Sequence, residues 1–215
     1  KPCLHLSSEA VSADGRDPAQ ELVDFLAEHR VERLNVAGPR ASQEPLVAAF
    51  AGHLWGEHAP GIKDQKVALQ TAHNILVAHG LSVQAIRSVD DGLQAGIVLS
   101  LWPVEPLEDT PENVAVAEAT WQKGGDILFL DTVFKGHYPP AGWQEAGDLA
   151  PQVLPGDMAL ISQKLDFMGV NYYSRQLVNA SGERVWPEGP EYTEMNWEVC
   201  PPAFYRLLTR ISREY

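Results

Sequence analysis

Positive charge is scarce in this sequence: Lys and Arg number 16 against 29 Asp and Glu, leaving a net charge of −13. So acidic a surface repels phosphate backbones and anionic lipid, which argues against nucleic acid and membrane surfaces as partners and favours a neutral small molecule. Cysteine is almost absent. Cys3 and Cys200 have neither the CxxC spacing of a metal or redox site nor the density of a disulfide scaffold, so both read as free thiols. No apolar run approaches the roughly 20 residues needed to span a bilayer, and no basic stretch followed by an apolar one opens the chain. A cytoplasmic location is the default expectation. Lys1 rather than Met stands first, as expected of a chain that once continued upstream.

What is present is the make-up of a globular protein with a sizeable core: 215 residues, 45% hydrophobic and 21% charged. Short apolar runs alternate with longer amphipathic ones. PCLHL (2–6) reads as a brief strand. Asp17 then caps a helix with Pro18 at its first position, Glu21 in its first turn, and Leu22, Phe25 and Leu26 on one face. VERLNVAGPR (31–40) supplies a second strand. Residues 64–89 carry apolar side chains at Leu69, Ala72, Leu76, Leu81 and Val83, a long helix expected to kink or break near Gly80. QAGIVLSLWPVEP (94–106) is a third strand, apolar nearly throughout as a strand buried on both faces should be. Thr110, Pro111 and Glu112 form a strong helix start. LDFMGVNYYS (165–174) is a fourth apolar run, and residues 200–215 close the chain as a helix with Phe204, Leu207, Leu208 and Ile211 in register. Four strands separated by helices predict an α/β fold of parallel βα units.

One acid stands out. Glu44 lies between Gln43 and Pro45, just ahead of a loop rich in glycine and aromatics. From there onward the stretches EPLVAAFAGHLWGEHAPGIKD, TAHNILVAHGLSVQAIR, LFLDTVFKGHYP, DFMGVNYYS and TEMNWEVCPPAFYRLLTRISREY follow in order. Together they resemble glycoside hydrolase family 1, the β-glucosidase and β-galactosidase family built on an eight-stranded (β/α) barrel. The resemblance implies a β-glycoside as substrate, Glu44 as general acid/base, Asn171 and Tyr173 lining the sugar site, and Trp197 on the leaving-group side. It implies no cofactor and no metal. Gln43 stands where the family has Asn, which sets the amide expected to hold the sugar one methylene farther out. The strand-seven motif that bears the family's nucleophile does not occur before Tyr215.

Residues 1–43 look different. LNVAGPRAS resembles the turn of a molybdenum-carrier protein of Rossmann-like fold. The chain therefore looks like a fusion joined near Gln43–Pro45, with a βαβ segment over 1–43 and a family 1-like partial barrel over 44–215, forming one structural domain. About half of a barrel with four parallel βα units leaves its sheet edges bare, so self-association into a homodimer or higher homo-oligomer is expected to complete it.

Hydrolysing a glycoside takes two carboxyl groups, one protonated to assist the leaving oxygen and one ionised to attack or to activate water. The second could be Glu44 of another chain, or Glu105 or Asp109 at the next strand end. Two acids facing one another would split their proton affinities as the reaction requires. Each candidate has a plainer reading: Glu44 as a solvated loop acid, Asn171 and Tyr173 as packing, and Trp55, Trp102 and Trp121 as core. His53, His58, His73 and His79 invite a metal reading, but His73 and His79 fall on opposite faces of a helix. The alternatives to a glycosidase are an inactive barrel fragment that binds sugar weakly, and an anion or molybdenum-cofactor binder that uses residues 33–42.

Overall fold

The computed structural model describes residues 33–34, 64–90 and 92–215. The expectations for PCLHL, the first helix, most of the second strand and the loop that holds Gln43 and Glu44 fall outside those residues, as do Cys3, His53, Trp55 and His58. The described chain begins with strand β1 (Arg33–Leu34), which pairs in parallel with β2 (Gln94–Leu101); β2 pairs in parallel with β4 (Phe167–Tyr172). Among the described residues the main sheet thus holds three parallel strands in the order β1-β2-β4.

Helix α1 (Gln65–Val89) precedes β2. Its start follows from Asp64, whose side chain accepts hydrogen bonds from the backbone N–H of Lys66 and Val67. The helix runs unbroken through Gly80, contrary to the expected kink. Glycine is required there for another reason: a Cβ would collide with the backbone of Leu160, so Gly80 permits close approach and does not break the helix. Leu81, read as part of the apolar face, is exposed, and the buried row is Ala68, Ala72, His73, Leu76, Gly80, Val83 and Ile86.

The third strand expected over 94–106 is two strands. β2 ends at Leu101, and β3 (Val104–Pro106) belongs to a second sheet with β5 (Gln176–Val178) and β6 (Arg184–Val185). Two groups cause the break. Pro103 has no N–H to give a ladder, and the Trp102 N–H is taken by the buried Asp126 carboxylate at 2.6 Å. The chain then turns onto helix α2 (Pro111–Lys123), capped as expected by Thr110, whose hydroxyl accepts from the Asn113 N–H.

Helices α3 (Gly125–Lys135), α4 (Pro140–Ala146) and α5 (Asp157–Ile161) follow before β4, and α6 (Pro201–Glu214) closes the fold. One face of the main sheet, with Ile97, Leu99 and Leu101 beside Met168, Val170 and Tyr172, packs on Trp121, Ile127, Leu130 and Leu207. Phe204 and Ile211 join that core, whereas Leu208, read as their neighbour on the apolar face, points to solvent. The opposite face pairs small with large: Gly96 opposes Phe167 and Gly169 opposes Val98. A Cβ on Gly169 would come within 2.8 Å of a Val98 methyl. Among the described residues that row contributes nothing to the apolar cores, and it ends at Ser100 and Asn171, both exposed. Among the described residues no helix is long and apolar enough to cross a membrane.

Candidate active site

Ser100 and Asn171 are register partners near the carboxyl ends of β2 and β4, the rim at which parallel α/β folds carry their sites. Just past that rim, three aromatic rings converge. Tyr173 lies 5.0 Å from Trp197 and 6.2 Å from Trp102 between ring centroids, and Trp102 meets Trp197 edge-on at 5.5 Å. Tyr173 is 49% exposed and Trp197 half-buried, while Trp102 is buried. The structure therefore brings Asn171, Tyr173 and Trp197 to one rim. It adds Trp102, whose apolar surroundings in sequence point to the core and whose release from β2 rests on Asp126, 24 residues on, as well as on Pro103.

Trp197 is held from below. A short β-bridge joins Tyr192 to Glu198, the Thr193 hydroxyl accepts from the Trp197 N–H, and Asn196 turns the chain with a φ of 58°. Glu198 is buried and grips Arg175 through two hydrogen bonds of 2.9 and 2.7 Å. Fork-to-fork pairing of this kind fixes orientation as well as charge. The glutamate holds the Arg175 guanidinium above the usual arginine range, against the opposing effect of burial.

Glu105 serves the same clamp. Its carboxylate accepts from Arg175 at 2.8 Å and from Arg206 at 2.6 and 2.7 Å. Desolvation pushes its pKa up, but hydrogen bonds and charge from Arg206 and Arg175 outweigh that and hold the carboxyl below the usual range. An acid bound by two arginines stays ionised and is not a proton donor near neutrality, and its hydrogen bonds anchor both guanidinium groups. Asp109 is exposed in the turn ahead of α2. Asp126, which no motif in the sequence singles out, is buried beneath Trp102, and burial pushes its carboxyl up to about 7, partly offset by the Trp102 N–H.

His73 is committed to structure. It is buried, with Nδ1 2.7 Å from the Tyr138 hydroxyl and Nε2 2.9 Å from an Asp157 oxygen. Among the described residues no group of His, Cys, Asp or Glu is arranged to hold a metal ion. Cys200 is a half-buried free thiol.

With this geometry in view, the comparisons decide the family. The profile of glycosyl hydrolase family 1 matches residues 36–215. The chain belongs to that family. A second profile, the circularly permutated YpsA SLOG family, matches residues 1–57, and the expected joint at Gln43–Pro45 falls inside the overlap of the two. The chain is 35% identical to the 1,4-beta-D-glucan glucohydrolase of Thermotoga neapolitana across 91% of its own length and 48% of the relative's. It superposes on the family 1 β-glucosidase from Thermotoga maritima bound to glucoimidazole with a TM-score of 0.76 at 31% identity, over 93% of this chain and 44% of that one. The virulence factor SghA from Agrobacterium tumefaciens gives a TM-score of 0.77 at 31% identity, over 92% and 44%. The chain thus spans about half the length of the curated relatives it matches, and its fold is part of a (β/α) barrel.

Proposed function

We propose that this family 1 chain hydrolyses β-linked glucosides or galactosides, with Glu44 as general acid/base and a second carboxylate brought by another copy of the chain. The observation that carries the reading is the rim itself. Asn171 offers an amide to sugar hydroxyls, Tyr173 adds a phenol, and Trp197 with Trp102 presents indole surface for a sugar or its leaving group to lie against. Gln43, next to the acid, is the further sugar contact. A neutral substrate also suits a chain of net charge −13.

The chemistry needs a carboxylate besides Glu44. Glu105 is spoken for by Arg175 and Arg206, which leaves Asp109 within the chain or Glu44 of a second copy. Two copies related by a two-fold axis would set the two Glu44 side chains facing each other across a closed barrel mouth. A carboxyl separation of about 5–5.5 Å would give retention and about 6.5–9.5 Å inversion.

The test is release of nitrophenol from aryl β-glucoside and β-galactoside by the pure protein, with its mass measured in solution. Activity that falls at least about 100-fold in Glu44→Gln, with assembly unchanged, supports the reading. Full activity in that variant overturns the role of Glu44. The half-length match favours one other reading, a chain that binds sugar without cleaving it; absence of release from a monomer is its signature.

A further inference from the structure

Beside the aromatic rim lies a cleft that the glycosidase reading does not use. Hairpin β5–β6 builds it: Asn179 Oδ1 accepts from the N–H groups of Ser181 and Glu183, Gly182 takes a φ of 79°, and Leu177 pairs with Val185. That turn holds Arg184 in a fixed place between two indoles. Its guanidinium carbon is 4.8 Å from the Trp186 ring centroid and 6.0 Å from that of Trp102. Ser174, Tyr192 and Glu198 also line the cleft.

The charge there is unbalanced. Glu198 is the acid in the lining, and both its oxygens are bound by Arg175. The Arg184 guanidinium makes no ion pair or hydrogen bond with any described residue; it lies against the two rings. Burial pulls its guanidinium below the usual arginine range, the expected effect on a cation losing water without gaining an anion. Most other arginines in this region are saturated: Arg175, Arg206 and Arg210 each hold carboxylates. A half-desolvated guanidinium whose donors are unused by any described residue and whose faces meet two rings is a receptor for a planar anion, since the fork matches a carboxylate in two parallel hydrogen bonds. Trp186, 54% exposed, offers the adjoining surface for an aromatic ring.

We infer that Arg184, Trp186 and Trp102 form a binding site for an aromatic carboxylate. The site stands whether or not the chain hydrolyses a glycoside, because Arg184 and Trp186, which supply its charge and its exposed ring, take no part in that reaction, and Trp102 alone is common to both. The field of an acidic protein repels anions in general, so selective uptake of one is a local property of this cation.

Calorimetric titration of the full chain with benzoate, benzamide and acetate tests it. Benzoate is expected to bind at least about tenfold more tightly than benzamide, which lacks the charge, and than acetate, which lacks the ring. Arg184→Gln should erase the preference for benzoate over benzamide. Equal affinities for benzoate and benzamide, or a preference that survives in Arg184→Gln, would overturn the inference. Should that variant fail to fold, the comparison of ligands on the unaltered chain decides alone. Benzoate binding without hydrolysis of aryl glucosides would leave this site standing and remove the glycosidase reading; hydrolysis without selective binding would do the reverse.

Discussion

At position 80 a glycine sits in the buried row of α1, and the helix passes straight through it because the Leu160 backbone occupies the space a side chain would need. Gly80→Ala removes a glycine from a helix interior, which alone would stabilise by about 0.5–1 kcal/mol. Overpacking against a backbone costs about 1–3 kcal/mol and wins. Denaturant unfolding of Gly80→Ala should therefore show a net loss of stability, and a gain would mean that α1 and α5 separate freely. Asp126 is the other informative residue. Its folded-state carboxyl titrates near about 7, above the 3.8 usual for aspartate, so between those values the native state holds a proton that the unfolded state has released. Its contribution is full at low pH and is lost as pH rises toward 7, at up to about 1.4 kcal/mol per pH unit. Asp126→Asn keeps an acceptor for the Trp102 N–H without the titration, so its stability should fall less steeply than that of the unaltered chain between about pH 4 and 7. Parallel pH profiles would contradict the burial argument.

Among the elements, the Arg175 clamp joins three that are far apart in sequence: β3 through Glu105, the start of β5 through Arg175, and the bridge before α6 through Glu198. Truncating Arg175 leaves Glu198 buried without its partner, a loss of about 3–5 kcal/mol. Arg206 is half exposed, so Arg206→Ala removes a mostly solvated partner of Glu105 and should cost no more than about 1 kcal/mol. Thermal unfolding of Arg175→Met and Arg206→Ala should rank in that order, and equal losses would deny that burial sets the difference. The clamp also marks the limit of what was legible in the sequence. Thr110-Pro111-Glu112 announced α2, and the apolar runs announced β2 and β4, because caps and periodicity are local. The break at Trp102-Pro103 depends on Asp126, 24 residues on, and the saturation of Glu105 on arginines 70 and 101 residues away. Tyr173 and Trp197 stand out in the sequence through the likeness of their motifs to a family, whereas the meeting of Trp102 and Arg184 becomes visible only when distant segments come together.

For the whole molecule, the sheet face that ends at Ser100 and Asn171 decides how copies could assemble. It carries Val98 and Phe167 yet belongs to none of the apolar cores among the described residues, and the matching family 1 structures are about twice as long as this chain. A second copy is the occupant that would also supply a second Glu44. Like charge opposes that union, since each copy carries −13. Burial of apolar surface is indifferent to modest salt, whereas repulsion between the copies is screened over about 10 Å at 0.1 M. Association driven by the sheet face should therefore strengthen as sodium chloride is raised from low concentration, and sedimentation at fixed protein concentration should show the dimer fraction rising. Phe167→Asp, which places a charge on that face without touching the helical core, should reduce the dimer at every salt concentration. A dimer that dissociates as salt is raised would instead be held by ion pairs, and the barrel-closing arrangement that pairs Glu44 with Glu44 would lose its driving force.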